Sequence, residues 1–165
     1  MADSVQFDAK AFHKRANAIL RHWKDTKAAG DPDELYHQAD VILVPVGVAG
    51  EDANPYRKST ALQSWLTGYE LPNTLTLITP TKFYFVASSN KGKMLEALNQ
   101  PSADVTSRVP LQVFRRGKDA TENAQIFATI IETIKTTGEG KRIGGFPKDV
   151  SGGKFMDEWE AAFNP

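Results

Sequence analysis

The sequence predicts an α/β domain in which a mixed β-sheet is flanked by helices. Two observations favour this class: amphipathic helical segments alternate with short strands in the order α-β-α-β-β-α-β-α-β-α, and the run at 40–48 is almost continuously apolar. A third is size, because 165 residues with 41% hydrophobic content suffice for one core that buries roughly 70% of the unfolded surface. Residues 1–165 are therefore expected to form a single domain.

The first helix is predicted over residues 7–30. Asp8 can cap it, Phe7 and Phe12 occupy the positions of a hydrophobic staple, and Gly30 stands just past the end. Apolar residues spaced at three and four predict the buried stripe of this helix, namely Phe12, Ala16, Ile19, Leu20 and Trp23.

The next element is a strand within 40–48, DVILVPVGV. Its unbroken apolar character is typical of a strand covered on both faces. Pro45 conflicts with a central position, because proline cannot donate to a β-ladder and belongs at an edge or a bulge. The place of this strand in the sheet is therefore left open.

Residues 57–72, RKSTALQSWLTGYELP, predict a short core helix. Ser59 or Thr60 can cap it, and Gly68 followed by Pro72 supplies the stop. The apolar residues recur at helical spacing and are expected to face the core: Leu62, Trp65, Leu66 and Tyr69. Trp65 and Leu66 are expected to pack this helix onto the sheet.

The remaining elements follow from local patterns. Two strands on either side of Pro80-Thr81 predict an antiparallel hairpin. Asp119 with Glu122 resembles a capping box, although the nearby Thr121 leaves the choice of cap open. The predicted elements are strands 74–79 and 82–88, a helix at 90–100 with Met94, Leu95 and Leu98 inward, a strand at 109–117, a helix at 119–138 with Ile126, Ile130 and Ile134 inward, a strand at 142–147 and a helix at 154–163.

Composition excludes several classes of function. Twenty basic and twenty acidic residues give a net charge of zero, which disfavours direct DNA binding by this chain. No cysteine is present, so disulfides and thiolate zinc sites are excluded. The sequence has no apolar run of membrane-spanning length and no secretory signal pattern, and no membrane association is expected.

No motif predicts catalysis or a cofactor. His13 and His22 lack metal-ligand spacing and are interpreted as partly exposed structural residues, and His37 is placed in a turn without a partner. Gly152-Gly153-Lys154 ends like a phosphate-binding loop, but Lys148 and Phe155 replace the required glycine and hydroxyl.

Two charged clusters are each open to two interpretations. The carboxylates Asp157, Glu158 and Glu160 could serve as general acids, but a solvated helix face is the stronger interpretation. Arg115, Arg116 and Lys118 are interpreted as a strand end in water.

A family resemblance is carried by three stretches, KSTALQSWLTGYEL, GKRIGGFPKD and GGKFMDEW, together with the order of the elements. From about Phe7 to Trp159 the chain resembles the N-terminal lobe of the large subunit of the FACT histone chaperone. This implies a lobe like the N-terminal lobe of creatinase and aminopeptidase P, followed in the larger protein by a second, pita-bread lobe. Pro45 is a departure from what the family leads us to expect.

The resemblance also implies a function. The lobe would be a non-catalytic module, without metal or cofactor, that binds core histones and reorganises nucleosomes during transcription, replication and repair in the nucleus. The smaller FACT subunit would be bound through other domains. The alternatives are the substrate-shaping lobe of an active metallopeptidase related to aminopeptidase P, whose metal ligands lie in the second lobe, and a small-molecule binding domain.

Six residues are the candidate histone contacts under this resemblance. Those beside the short helix would line the crevice towards the second lobe, and those on the last helix would form an acidic patch that attracts basic histones. They are Lys58, Ser59, Glu70, Asp157, Glu158 and Glu160. The alternative for the first three is that they only cap and solvate their helix.

Overall fold

The computed structural model describes residues 6–30, 38–50 and 56–164. Within them the chain forms helices α1 to α5 and strands β1 to β5, and a 3-10 turn, Ala97–Asn99, directly follows α3. The bounds are α1 Ala9–Ala29, β1 Val41–Val46, α2 Lys58–Thr67, β2 Thr74–Ile78, β3 Phe83–Ser88, α3 Ser89–Glu96, β4 Leu111–Arg116, α4 Ala120–Thr136, β5 Ile143–Gly144 and α5 Lys154–Phe163.

The strands form one mixed sheet in the order β4-β3-β2-β1-β5. The pairs β1 with β2 and β2 with β3 are antiparallel, whereas β3 with β4 and β1 with β5 are parallel. The hairpin predicted between β2 and β3 is confirmed by the pairing of Ile78 with Phe83. The predicted α/β class with a mixed sheet is therefore confirmed.

The position of Pro45 is explained by the short length of β5. Pro45 pairs opposite Leu75 of β2, so it lies within the ladder. On the other side of β1, β5 pairs only with Val41 and Ile42. Beside Pro45, this side of β1 has no neighbouring strand among the described residues. The missing N–H of proline therefore leaves no carbonyl of a neighbouring strand without its hydrogen bond.

Alternating side chains of the sheet supply two cores, one on each face. In β1, Ile42 and Val44 point to the face covered by α1, α2 and α3, while Val41 and Leu43 point to the face covered by α4 and α5. The side-chain period of two in a strand produces this division. It confirms that the strand predicted within 40–48 is covered on both faces over Val41–Val46, whereas Val48, beyond the end of β1, is 43% exposed.

Helix α1 begins and ends as predicted. The Asp8 carboxylate accepts a hydrogen bond from the Ala11 amide at 3.0 Å, and Gly30 adopts a left-handed conformation with φ of 66°. Phe12, Ala16 and Trp23 of the predicted stripe are buried. Ile19 and Leu20 are half-buried against the same core.

The interpretation of His13 as partly exposed is wrong. Its ring is buried, its Nδ1 accepts from the Val109 amide at 3.1 Å, and its Nε2 lies 2.9 Å from the Leu98 carbonyl oxygen. An Nε2–H tautomer satisfies both partners. His13 therefore joins α1 to the chain on both sides of the 100–108 loop.

Helix α2 exists as predicted but is rotated about its axis. Trp65 and Tyr69, expected in the core, are 44% and 42% exposed. Leu66 is buried and Leu62 half-buried, and most of the buried face is polar, comprising Ser59, Thr60, Gln63 and Thr67. Thr60, Gln63 and Thr67 can be buried here because their side chains bond to the backbone of α2 or of the residues that flank it.

Other boundaries differ slightly from the predictions. Strand β5 has two residues rather than the expected six, and its pairing with β1 ends at Ile42. Helix α4 is capped by Asp119 rather than by Thr121, and it ends at Thr136, before Gly138. His37 lies outside the described residues.

Candidate functional site

The loop at 146–153 binds the end of β1 and the start of α2. The Asp149 Oδ2 accepts a hydrogen bond from the Ser59 amide at 2.7 Å, and the Ser151 hydroxyl accepts from the Gly47 amide at 2.9 Å. Val48 and Gly152 exchange backbone hydrogen bonds of 2.9 and 3.0 Å. Distant parts of the chain are thus held at one point on the surface.

Gly47 makes this junction possible. A Cβ on Gly47 would lie 2.2 Å from the Gly152 carbonyl oxygen and 2.4 Å from Cγ of Met156. Any larger residue would therefore separate the end of β1 from the loop and from α5.

A cavity of about 380 Å³ opens at this junction and is called here the Ser59 groove. Its lining includes Pro45, Ser59, Asp149, Ser151 and Glu160. Two candidate residues predicted on different elements, Ser59 of α2 and Glu160 of α5, therefore border the same cavity. Ser59 itself is buried.

The other two candidates near α2 are placed at its opposite ends. Lys58 is exposed beside Ser59, at the first turn of the helix. Glu70 is exposed beyond the last turn, and the ten-residue helix between them spans about 15 Å at 1.5 Å per residue. The structure therefore does not bring Glu70 to the Ser59 groove.

The turn that carries Glu70 is held by a buried amide. Gln63 donates from Nε2 to the Leu71 carbonyl and accepts at Oε1 from the Leu71 amide, both at 2.9 Å. The Thr67 hydroxyl adds a bond to the Tyr69 carbonyl at 3.0 Å. These contacts fix the exit of α2, so the position of Glu70 on the surface is well defined.

Lys91 of α3 supports the same turn. Its Nζ donates to the Pro72 carbonyl oxygen at 2.5 Å, and desolvation by burial lowers the pKa of this ammonium group. The contact joins the start of α3 to the residues that follow Glu70.

The three carboxylates of α5 do not form a single patch. Asp157 and Glu160 are exposed and lie at i, i+3, on neighbouring positions of the helix surface. Glu158 is turned away and pairs with Arg116, and its Oε1 lies 3.7 Å from Lys154 Nζ. The solvated interpretation therefore fits Asp157 and Glu160 but not Glu158.

The interpretation of Arg116 as a strand end in water is wrong. Its side chain is 16% exposed, and its guanidinium carbon lies 5.3 Å from the ring centroid of Phe127 and 4.9 Å from that of Phe155. Stacking on aromatic faces and pairing with Glu158 offset the loss of hydration. Arg115, in contrast, forms a half-exposed ion pair with Glu96 at 3.2 Å.

Two exposed side chains near the Ser59 groove were missed by the sequence analysis. Tyr56 is 87% exposed just before α2, and Val150, which follows Asp149, is 78% exposed. Exposed apolar groups next to a concave surface are common in protein interfaces. Neither belongs to a periodic pattern, so no sequence signal marked them.

Two kinds of site are absent from the described part of the chain. Residues 6–30, 38–50 and 56–164 contain no group of three or more His, Asp or Glu side chains that could hold a metal ion. None of the helices in these ranges combines the length and apolar character needed to cross a membrane.

Comparison with known proteins places the chain in a family. Residues 7–165 match the family model described as the FACT complex subunit SPT16 N-terminal lobe domain. FACT complex subunit SPT16 of Mycosarcoma maydis is 37% identical over 163 residues, and FACT complex subunit ctc-2 of Neurospora crassa is 36% identical over 164. Each alignment covers 99% of this chain and 15% of the relative, so the chain spans about one seventh of their length.

Solved structures support the same assignment. The N-terminal domain of FACT complex subunit SPT16 from Eremothecium gossypii superposes with a TM-score of 0.78 at 25% identity, over 98% of this chain and 34% of that one. The corresponding domain from Cicer arietinum gives 0.75 at 25% identity, over 97% and 35%. The family match and the shared fold together show that this chain belongs to the FACT complex subunit SPT16 N-terminal lobe domain family.

Proposed function

We propose that this chain is a non-catalytic module of a histone chaperone, which binds core histones and takes part in nucleosome reorganisation in the nucleus. Membership of the SPT16 N-terminal lobe family supports the proposal. Because the chain covers only 15% of its relatives, we further propose that it is one lobe of a larger protein. Contacts with a smaller FACT subunit are then made by other regions of that protein.

The histone-binding surface that we propose is the rim of the Ser59 groove and the adjoining side of α5. The observation that carries it is the 2.7 Å bond between Asp149 and Ser59, which brings the start of α2 to the groove that Glu160 also lines. Asp157 and Glu160 supply negative charge for basic histones, and Tyr56 and Val150 supply exposed apolar area.

The other candidates have subsidiary roles in this proposal. Lys58 is exposed beside Ser59 at the start of α2 and is kept as a candidate contact, and Ser59 acts through its backbone contact. Glu70 is a separate contact beyond the far end of α2. Glu158 supports α5 through Arg116 and Lys154 rather than facing a histone.

Binding by this lobe alone should be weak and sensitive to salt. The chain has no net charge, so attraction depends on a few carboxylates rather than on a strong overall field. An interface below about 1,600 Å² with few charges suggests a dissociation constant on the order of micromolar or weaker. Affinity should fall as added salt shortens the Debye length from about 10 Å at 0.1 M to about 3 Å at 1 M.

Titration of the chain with reconstituted core histones tests this proposal. The double charge reversal Asp157→Lys with Glu160→Lys should abolish binding, while the matched reversal Asp104→Lys with Glu132→Lys, on other exposed surfaces, should leave it unchanged. Glu158 is kept intact, because a lysine there would face Arg116 and disturb the fold. Binding that is nanomolar and insensitive to salt, or that survives the first reversal, would contradict the proposed surface.

A further inference from the structure

A second concave region lies at the carboxyl ends of β3 and β4 and is called here the Arg116 crevice. These strands are parallel, and Ser88 pairs opposite Arg116 at their ends. From there α3 leads to one face of the sheet and α4 to the other, as their places in the two cores show. In α/β sheets a crevice of this kind, where successive connections diverge, is a preferred position for ligands.

The crevice has a volume of about 770 Å³, within the range of pockets that take small ligands and peptide side chains. Its charged lining is mainly basic, with Arg116, Lys118 and Lys154 against the single carboxylate of Glu158. Asn73 and Ser88 add polar groups. The excess of positive charge favours a negatively charged ligand.

The pairing with Glu158 satisfies only part of the hydrogen-bonding capacity of the Arg116 guanidinium. Its Nη2 donates to Glu158 Oε2, whereas its Nε is shielded from solvent and has no hydrogen-bond partner among the described residues. An unsatisfied buried donor is unfavourable, and a guanidinium is best satisfied by two parallel bonds from one carboxylate. The contact with Glu158 leaves that arrangement incomplete.

Glu158 has a second basic partner within reach. Its other oxygen, Oε1, lies 3.7 Å from Lys154 Nζ, one helical turn earlier on α5. A rotation of the Glu158 side chain towards Lys154 would release the guanidinium of Arg116 for another carboxylate without leaving Glu158 unpaired.

We propose that the Arg116 crevice binds an acidic peptide segment, one carboxylate of which replaces Glu158 on Arg116. A peptide fits better than a single inorganic anion, because 770 Å³ far exceeds the volume of one phosphate and the wall includes the apolar side chains of Ala120, Ala124 and Ala161. A carboxylate thus meets the basic end of the crevice, and a neighbouring apolar side chain lies on the alanines. This site is separate from the proposed histone surface and does not depend on it.

The test uses the 165-residue chain and a fluorescein-labelled hexapeptide of alternating glutamate and leucine, followed by fluorescence anisotropy. The same peptide with glutamine in place of glutamate is the ligand control. Glu158→Gln should tighten binding by roughly tenfold, because it removes the internal competitor for Arg116. Lys118→Gln with Lys154→Gln should weaken it by a similar factor, and Lys93→Gln with Lys135→Gln, which lie outside the crevice, should change nothing.

Arg116→Lys keeps the positive charge but removes the planar guanidinium that can form two parallel hydrogen bonds with a carboxylate. It should therefore weaken binding of the peptide although the charge remains. Thermal unfolding of each variant checks that it is folded. If Arg116→Lys does not fold, the Glu158 and lysine variants still decide the matter. Equal binding of the glutamine peptide, unchanged affinity in Glu158→Gln, or competition by inorganic phosphate as strong as that of the unlabelled peptide would overturn the proposal.

Discussion

The Asp149 carboxylate caps helix α2 from a position 90 residues later in the sequence, by accepting the Ser59 amide at 2.7 Å. The residue at the N-cap position itself, Arg57, provides no side-chain cap. The prediction that Ser59 or Thr60 caps this helix is therefore wrong, because both lie inside it and their side chains are buried. A loop supplies the missing acceptor, and with it the wall of the Ser59 groove.

Replacing Asp149 with alanine should lower the free energy of unfolding by about 1 kcal/mol, the usual effect of losing an N-cap acceptor. Chemical denaturation measures this loss, and Asp104→Ala, in an exposed turn, is the control. A histone titration of the same variant should show weaker binding, since the loop no longer holds the start of α2. A loss as small as that of the control would mean that the bond contributes nothing to stability.

The three tryptophans should respond very differently to truncation. Trp23 and Trp159 are each 2% exposed, and replacing either with alanine should cost roughly 3 to 5 kcal/mol. Trp65→Ala should lower the free energy of unfolding by about 1 kcal/mol or less, because the indole is 44% exposed. The hydrogen bond from the Arg15 guanidinium is kept in this variant, because its acceptor is the backbone carbonyl of residue 65. Chemical denaturation of the three variants in parallel measures how much free energy of unfolding each one loses. A loss for Trp65→Ala equal to the other two would show that the Trp65 side chain is in the core.

Gln63→Glu should destabilise the chain by about 1 to 3 kcal/mol although it changes one atom. The amide both donates to and accepts from the Leu71 backbone, whereas a carboxylate can only accept and would face the Leu71 carbonyl oxygen. Hydrogen exchange of the Leu71 amide provides a local measurement beside global denaturation. Gln112→Glu, on the half-buried strand β4, is a matched control.

The Asp40 carboxyl group should make the free energy of unfolding depend on pH under acidic conditions. Hydrogen bonds to the charged form lower the pKa of this carboxyl from its ordinary value of 3.8. The backbone amide of Lys141 has the largest effect and that of Arg142 the next, and each donates to Asp40 Oδ2 at 3.0 Å. A lowered folded-state pKa means that the stabilisation is fully present above the unfolded value and is lost as pH falls through the folded value.

Asp40→Asn therefore tests this contribution. The stability difference between the chain and this variant should be largest above about pH 5 and should shrink as the pH drops below the ordinary value of 3.8. Urea denaturation at several pH values measures it, with Asp104→Asn as the control. A difference that is constant over this range would show that ionisation of Asp40 is not involved.

The chain should not hydrolyse Xaa-Pro peptides, even with added manganese or cobalt. A metal-dependent peptidase needs a set of carboxylate and imidazole ligands, and the described residues contain no such group. Release of the N-terminal residue, followed by mass spectrometry, is the measurement, and an active aminopeptidase P is the positive control. Metal-dependent turnover that persists through repurification would favour the peptidase interpretation instead.

Much of the fold was predictable, because its determinants are local in sequence. Asp8 and Asp119 cap their helices within three residues, and the apolar run of β1 indicates burial on both faces without knowledge of its neighbours. The hairpin of β2 and β3 follows from the spacing around Pro80. Such features depend on contacts within one element or one turn, where periodicity and residue type carry the information.

The candidate site was predictable only in part. Glu160 was selected as one of three clustered carboxylates, but α5 turns Glu158 to the opposite side, towards Arg116. Tyr56 and Val150 were missed, because isolated apolar residues in loops have no periodic pattern to mark their exposure.

The sequence by itself determined the class of fold, the order of its elements and the family to which the chain belongs. Only the tertiary structure decided which face of α2 is buried, which residue caps it and whether Arg116 lies in water. These depend on partners outside the helix or strand that carries each group: the Leu71 backbone satisfies Gln63, Asp149 accepts from the Ser59 amide, and Glu158 pairs with Arg116. A polar group can be buried only where such a partner exists, and the identity of that partner is fixed by packing rather than by local pattern.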